Sequence, residues 1–108
     1  MMKQAKRQRL ERKGWKVGDA RDLLQLTDDE VTYIELKLAL GDQLKTMREK
    51  KAITQVELAK LLSSSQSRVA KMESGDPSVS IDLLVKGLLA LGATRKQIAG
   101  AMTSTRAA

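Results

Sequence analysis

Residues 53–75, Ile-Thr-Gln-Val-Glu-Leu-Ala-Lys-Leu-Leu-Ser-Ser-Ser-Gln-Ser-Arg-Val-Ala-Lys-Met-Glu-Ser-Gly, constrain the fold more than any other stretch, because they hold two helix starts and two helix stops in a short span. Thr54 offers a hydroxyl to cap a first helix. Glu57, three residues on, can return a hydrogen bond to the Thr54 N–H, which is the reciprocal pairing of a capping box. Leu58, Ala59 and Leu62 then share one face at helical spacing. Hydroxyls at Ser63 to Ser65 compete for backbone groups and end that helix. Ser65 becomes the next N-cap, and Val69 and Met72 continue the apolar face, while Gln66, Ser67, Arg68 and Lys71 fall largely on the other side. Gly75 supplies a left-handed stop. The stretch therefore reads as two short helices joined by a tight three-serine turn.

The rest of the chain extends this helical pattern in both directions. Thr27-Asp-Asp-Glu30 is a second capping box with acids in the first turn, where they complement the helix dipole. From there Val31, Ile34, Leu38, Leu40, Leu44 and Met47 recur as apolar positions up to a cationic end at Arg48, Lys50 and Lys51. Gly41 inside that run costs about 1 kcal/mol relative to Ala, so either two backbones approach closely there or the helix bends. After Asp76-Pro77, Ser80 is an N-cap for Ile81, Leu84, Val85 and Leu88 at i, i+3, i+4, i+7, and Gly92 ends that helix. Leu83, Leu89 and Leu91 add more apolar surface than one core face needs, which marks Leu83, Leu88 and Leu89 as a face for self-association. Thr94 with Gln97 opens a last helix through Ile98 and Met102.

Strand-like alternation is nowhere sustained, and an apolar set of Leu, Ala, Val, Ile and Met with no Phe suits a helical bundle. A chain of 108 residues can bury one core. The expected architecture is all-α, a bundle of about five helices over residues 31–102. Ahead of it come a basic arm at 1–14 and a 15–30 extension with a short helix from Asp19 to Leu26; 103–108 should fray. Trp15 reads as a packing anchor, since no second aromatic lies nearby to build a stacking platform.

Charge is concentrated at one end. Residues 1–16 carry seven cations against Glu11 alone, whereas the other 92 hold 13 cations and 12 anions. The arm is either a solvated tail or a polycation for nucleic-acid backbone. It lacks the apolar face of a membrane-surface helix and the apolar core of a signal peptide, and no apolar run is long enough to span a bilayer. With neither His nor Cys, the commonest general base, the best nucleophile and most transition-metal ligands are missing. Asp28, Asp29 and Glu30 cannot converge on one cation from consecutive helical positions. The Ser63–Ser67 cluster has no base at a suitable spacing, and there is no phosphate-cradling glycine motif. Neither an enzyme nor a cofactor is expected.

Nucleic-acid recognition has a geometric basis. The major groove admits one α-helix, and a second helix packed across it lets the N-terminal residues of the first reach base edges. Gln66 could pair bidentately with adenine, Lys71 could donate to guanine, and Gln55 could meet a phosphate.

Thr-Gln-x-Glu-Leu-Ala followed by Ser-Gln-Ser-Arg-Val-x-Lys-Met-Glu-x-Gly resembles the helix-turn-helix of the phage repressor and Cro-like (XRE) family over about Leu40 to Leu91. The resemblance implies a lambda-repressor-like bundle binding double-stranded DNA as a homodimer, a transcriptional repressor of the bacterial cytoplasm and nucleoid. It further implies that Gln66, Ser67 and Lys71 read bases, that Gln55, Arg68 and Ser74 grip the backbone, that Arg48 braces the first helix through Glu73, and that Ala59 sits at the tight crossing with Gln55 paired to Gln66. Ala52 and Ser63 stand where the family often has Gly, at helix ends that adopt left-handed backbone. The flanking layout, Gly-Asp-Ala-x-Asp-Leu-Leu-x-Leu-Thr-Asp-Asp-Glu before the motif and Ser-Ile-Asp-Leu-Leu-Val-x-x-Leu-Leu-Ala-Leu-Gly after it, is similar to HigA-type antitoxin regulators. That similarity implies the alternative of an antitoxin whose main partner is a toxin protein.

Overall fold

The computed structural model describes residues 26–103, which form five α-helices: α1 (Asp28–Lys50), α2 (Gln55–Leu61), α3 (Gln66–Ser74), α4 (Ile81–Ala90) and α5 (Arg95–Thr103). No strand occurs among the described residues, so the all-α bundle expected from composition is the observed fold. The arm at 1–14, Trp15 and most of the 15–30 extension, including its expected short helix up to residue 25, lie outside the described residues, as do 104–108. No helix among the described residues is long and apolar enough to cross a membrane.

Each start follows from a hydroxyl. Thr27, Thr54, Ser65 and Ser80 accept from the backbone N–H groups of Glu30, Glu57, Arg68 and Leu83, and Thr94 accepts from Gln97. Glu30, Glu57 and Gln97 return bonds to the capping residue's N–H, completing three capping boxes. Such caps contribute on the order of 1 kcal/mol each.

The stops share one device. After α1, α2, α3 and α4 a residue turns left-handed: Ala52 at φ 56°, Ser63 at φ 52°, Gly75 at φ 67° and Gly92 at φ 88°. Behind each, an N–H reaches back over six residues, as Ile53 does to the Arg48 carbonyl and Ser64 to that of Ala59. This is the Schellman closure, and the two non-glycine positions are the ones the resemblance singled out as strained.

Helix α1 is the spine against which α3, α4 and α5 pack, while α2 packs on α3. Gly41 is where α1 and α3 meet: a Cβ there would lie 2.7 Å from the Met72 carbonyl oxygen and 3.0 Å from that of Glu73. Close approach, not a bend, is therefore the reason for glycine, since α1 runs unbroken. Leu40, Leu44, Leu58, Val69, Met72 and Leu84 are fully enclosed around that contact.

Lys37 is also buried, its ammonium donating to the Pro77 carbonyl at 3.0 Å and sitting 5.5 Å from the centre of the Tyr33 ring. It ties α1 to the loop that follows α3. Burial pulls its pKa down, and the nearby Asp76 carboxylate opposes that shift.

The expected self-association face needs correction. Leu88 is fully buried in the core of α4, so its side chain already has protein partners and is not offered to a second subunit. Leu83 is half-buried and Leu89 is 53% exposed, which leaves these two as the outer part of that face. The i, i+3, i+4, i+7 row could not separate them, because Leu88 belongs to the core row and to the expected face alike.

Candidate nucleic-acid interface

The surface begins with α3, seven of whose nine residues are either buried or exposed, with Ala70 and Ser74 in between. Val69, Met72 and Glu73 turn inward and are buried, whereas Gln66, Ser67, Arg68 and Lys71 are exposed. Ser65 sets the helix start, so Gln66 and Ser67 form its first turn. Ala59, 4% exposed, holds α2 in the core beside α3. A larger side chain there would drive apart the two helices it separates.

Behind Gln66 runs a chain of hydrogen bonds that joins three helices. The Arg48 guanidinium donates through Nε and Nη2 to both carboxylate oxygens of Glu73, at 2.5 and 3.1 Å, and through Nη1 to the Ile53 carbonyl at 2.8 Å. Gln55 donates from Nε2 to Glu73 Oε1 at 3.0 Å. Gln66 in turn donates from Nε2 to Gln55 Oε1 at 2.6 Å. The hydrogen bonds to Glu73 raise the pKa of Arg48 above its usual value against the opposing effect of burial, so the guanidinium stays charged. With side chains only 12% and 3% exposed, removing one partner would strand a charge, at a cost of roughly 3–5 kcal/mol.

Arg48, Glu73, Gln55 and Gln66 are thus brought together, and Ser67, Arg68 and Lys71 lie beside them on the open face of α3. Ser74 stands apart. The residue is half-buried, and its hydroxyl, in an exposed hydrogen bond, donates to the Lys71 carbonyl at 3.0 Å at the end of α3. Leu83 and Leu89 belong to α4, away from this motif in sequence and helix. The Gln55-to-Glu73 link and the Ile53 carbonyl were not expected from sequence. A signal for the first existed, since Gln66 and Glu73 are two turns apart on one helix and both face α2. Among the described residues no cluster of acids capable of holding a metal is present.

The arrangement suits groove binding. A short helix presents amide, hydroxyl and cationic groups outward from its N-terminal turn, and a second helix crosses behind it, the geometry that places side chains at base edges. No curated protein and no solved structure matches the chain. A family model described as a helix-turn-helix domain matches residues 39–101, more than half of the 108 residues and the whole of the motif. The chain belongs to the helix-turn-helix domain family and is a DNA-binding regulator.

Proposed function

We propose that this protein is a sequence-specific transcriptional repressor that binds operator DNA as a homodimer, each subunit inserting α3 into the major groove. The observation that carries the reading is the Gln55–Gln66 amide pair, held against the buried Arg48–Glu73 ion pair at the exposed start of α3. A freely rotating surface glutamine would lose side-chain entropy on meeting a base; one already hydrogen-bonded loses less. Gln66, Ser67 and Lys71 read base edges in this scheme, and Gln55 and Arg68 meet the flanking phosphates. Dimerisation supplies affinity that the charge of the helical bundle does not, because the chain beyond residue 16 carries nearly equal numbers of cations and anions. Leu83 and Leu89 on α4 contribute the contact between subunits, with the two α3 helices roughly 34 Å apart on one face of the duplex.

Selection from random duplexes tests this. The wild-type protein should enrich a two-fold symmetric site, and Gln66→Ala should relax preference at one base pair of each half-site, a loss of about 1–3 kcal/mol of discrimination. Identical preferences for the two proteins would refute the assignment.

A further inference from the structure

The chain of bonds behind Gln66 has a direction. Ionised and bound to Arg48 through both oxygens, the Glu73 carboxylate can only accept hydrogen bonds. Gln55 must therefore turn its NH2 group toward Glu73, which leaves Gln55 Oε1 facing Gln66. That oxygen can only accept, so Gln66 must answer with an N–H, as it does at 2.6 Å. The Gln66 oxygen and its second N–H are then turned outward together. This is one acceptor beside one donor, the complement of the adenine N6 donor and N7 acceptor.

We propose that Glu73, acting through Gln55, sets the donor–acceptor polarity of the Gln66 amide and thereby makes α3 select adenine over guanine at the base pair Gln66 meets. The proposal rests on the reading of Gln66 as a base contact. Glu73 is a positioning residue: it lies buried, 4% exposed, and reaches DNA only through two intervening amides. Its identity as Glu, and not Gln, is what fixes the order.

The substitution Glu73→Gln reverses the relay. A carboxamide at position 73 that keeps its oxygen on Arg48 Nε, the shortest contact in the group, presents its NH2 to Gln55 and gives up the bond that Glu73 Oε1 accepts from Arg48 Nη2. Gln55 turns over to accept, its NH2 then donates to the Gln66 oxygen, and Gln66 is left with two N–H donors facing outward. Two donors match the N7 and O6 acceptors of guanine.

Random-duplex selection on the full chain, with wild type, Glu73→Gln, Gln55→Ala and Gln66→Ala side by side, decides the matter. Wild type should favour adenine over guanine at the Gln66 position by roughly tenfold. Glu73→Gln should invert or abolish that ratio while preferences elsewhere in the site persist. A merely structural role for Glu73 would instead weaken binding to all sequences alike. Gln55→Ala, which spares the Arg48 ion pair, should reduce the adenine preference even if Glu73→Gln does not fold. An adenine preference undiminished in Glu73→Gln or in folded Gln55→Ala overturns the proposal, as does an altered affinity with an unaltered ratio. Should wild type and Gln66→Ala show the same preferences, the reading of Gln66 fails instead, and this relay with it.

Discussion

Three glycines inside helices, Gly41, Gly87 and Gly100, form a graded test of how closely α1 and α3 approach. Converting a helical glycine to alanine in open surroundings stabilises by roughly 0.5–1 kcal/mol, because alanine loses less backbone entropy on folding. Gly100 has nothing within 4 Å of a built Cβ, so Gly100→Ala should show that full gain. At Gly87 the methyl would meet Met72 Cε at 2.9 Å and Leu44 Cδ1 at 3.4 Å, the ends of side chains that can shift, and the net effect should be close to zero. At Gly41 the three nearest atoms are backbone: the carbonyl oxygens of Met72 and Glu73 and, at 3.2 Å, the Gly75 nitrogen. None of these can rotate aside, so α3 must move away from α1. Overpacking of that kind costs about 1–3 kcal/mol, and once the intrinsic gain is subtracted Gly41→Ala should lose about 1–2 kcal/mol. For a domain of this size that corresponds to a Tm decrease of roughly 4–8 °C per kcal/mol. Urea and thermal unfolding followed by far-UV circular dichroism should order the variants Gly100→Ala, Gly87→Ala, Gly41→Ala from most to least stable. A Gly41→Ala protein as stable as Gly100→Ala would refute the close packing of α1 on α3.

At the turn before α3, Ser63→Gly should stabilise the protein by up to about 1 kcal/mol, because left-handed backbone costs a non-glycine residue roughly 1–2 kcal/mol and glycine's greater entropy loss returns only part of it; denaturant midpoints provide the measurement. Asp76 tests the acid limb. Hydrogen bonds from the Ser78 hydroxyl and backbone N–H, at 2.6 and 2.9 Å, hold its pKa below the usual carboxylate value, against a smaller opposing effect of burial. Since the folded pKa is the lower one, this stability is present above about pH 4 and is lost as pH falls through the folded value. Asp76→Asn should therefore be less stable than wild type at pH 7, and the gap in urea midpoints should narrow as pH falls below about 4. A gap independent of pH would show that the carboxylate charge plays no part.

The helix boundaries were legible in the sequence because each depends on residues three or four apart. Thr54 with Glu57, and Thr94 with Gln97, specify starts without knowledge of anything distant. Ala52 and Ser63 were exposed by the family resemblance instead, as positions where that family often has Gly, and both adopt left-handed backbone. Properties that depend on which helix lies opposite were out of reach. Gly41 announced a close approach or a bend, and only the position of the Met72 and Glu73 carbonyls decides between them. Lys37 has a sequence neighbourhood no different from that of a solvated lysine, yet it is enclosed beneath the α3–α4 loop. Leu88 and Leu89 are adjacent leucines, one buried and one exposed.

That division has a functional consequence in α3. The residues facing outward there are held by local rules: Ser65 fixes where the helix begins, and helical spacing then fixes which side chains turn away from Val69 and Met72. How the leading side chain is oriented depends instead on α1 and α2, through Arg48 and Gln55. Transplanting residues 65–75 into another helix pair would therefore keep the exposed set while releasing the Gln66 amide to rotate. Placing 48–75 as a unit would carry the whole relay, because Arg48, Ile53, Gln55, Gln66 and Glu73 all fall within it. If Gln66 meets a base as proposed, the unit that would carry a base preference is longer than the helix that would touch the base, and it begins at the last turn of α1.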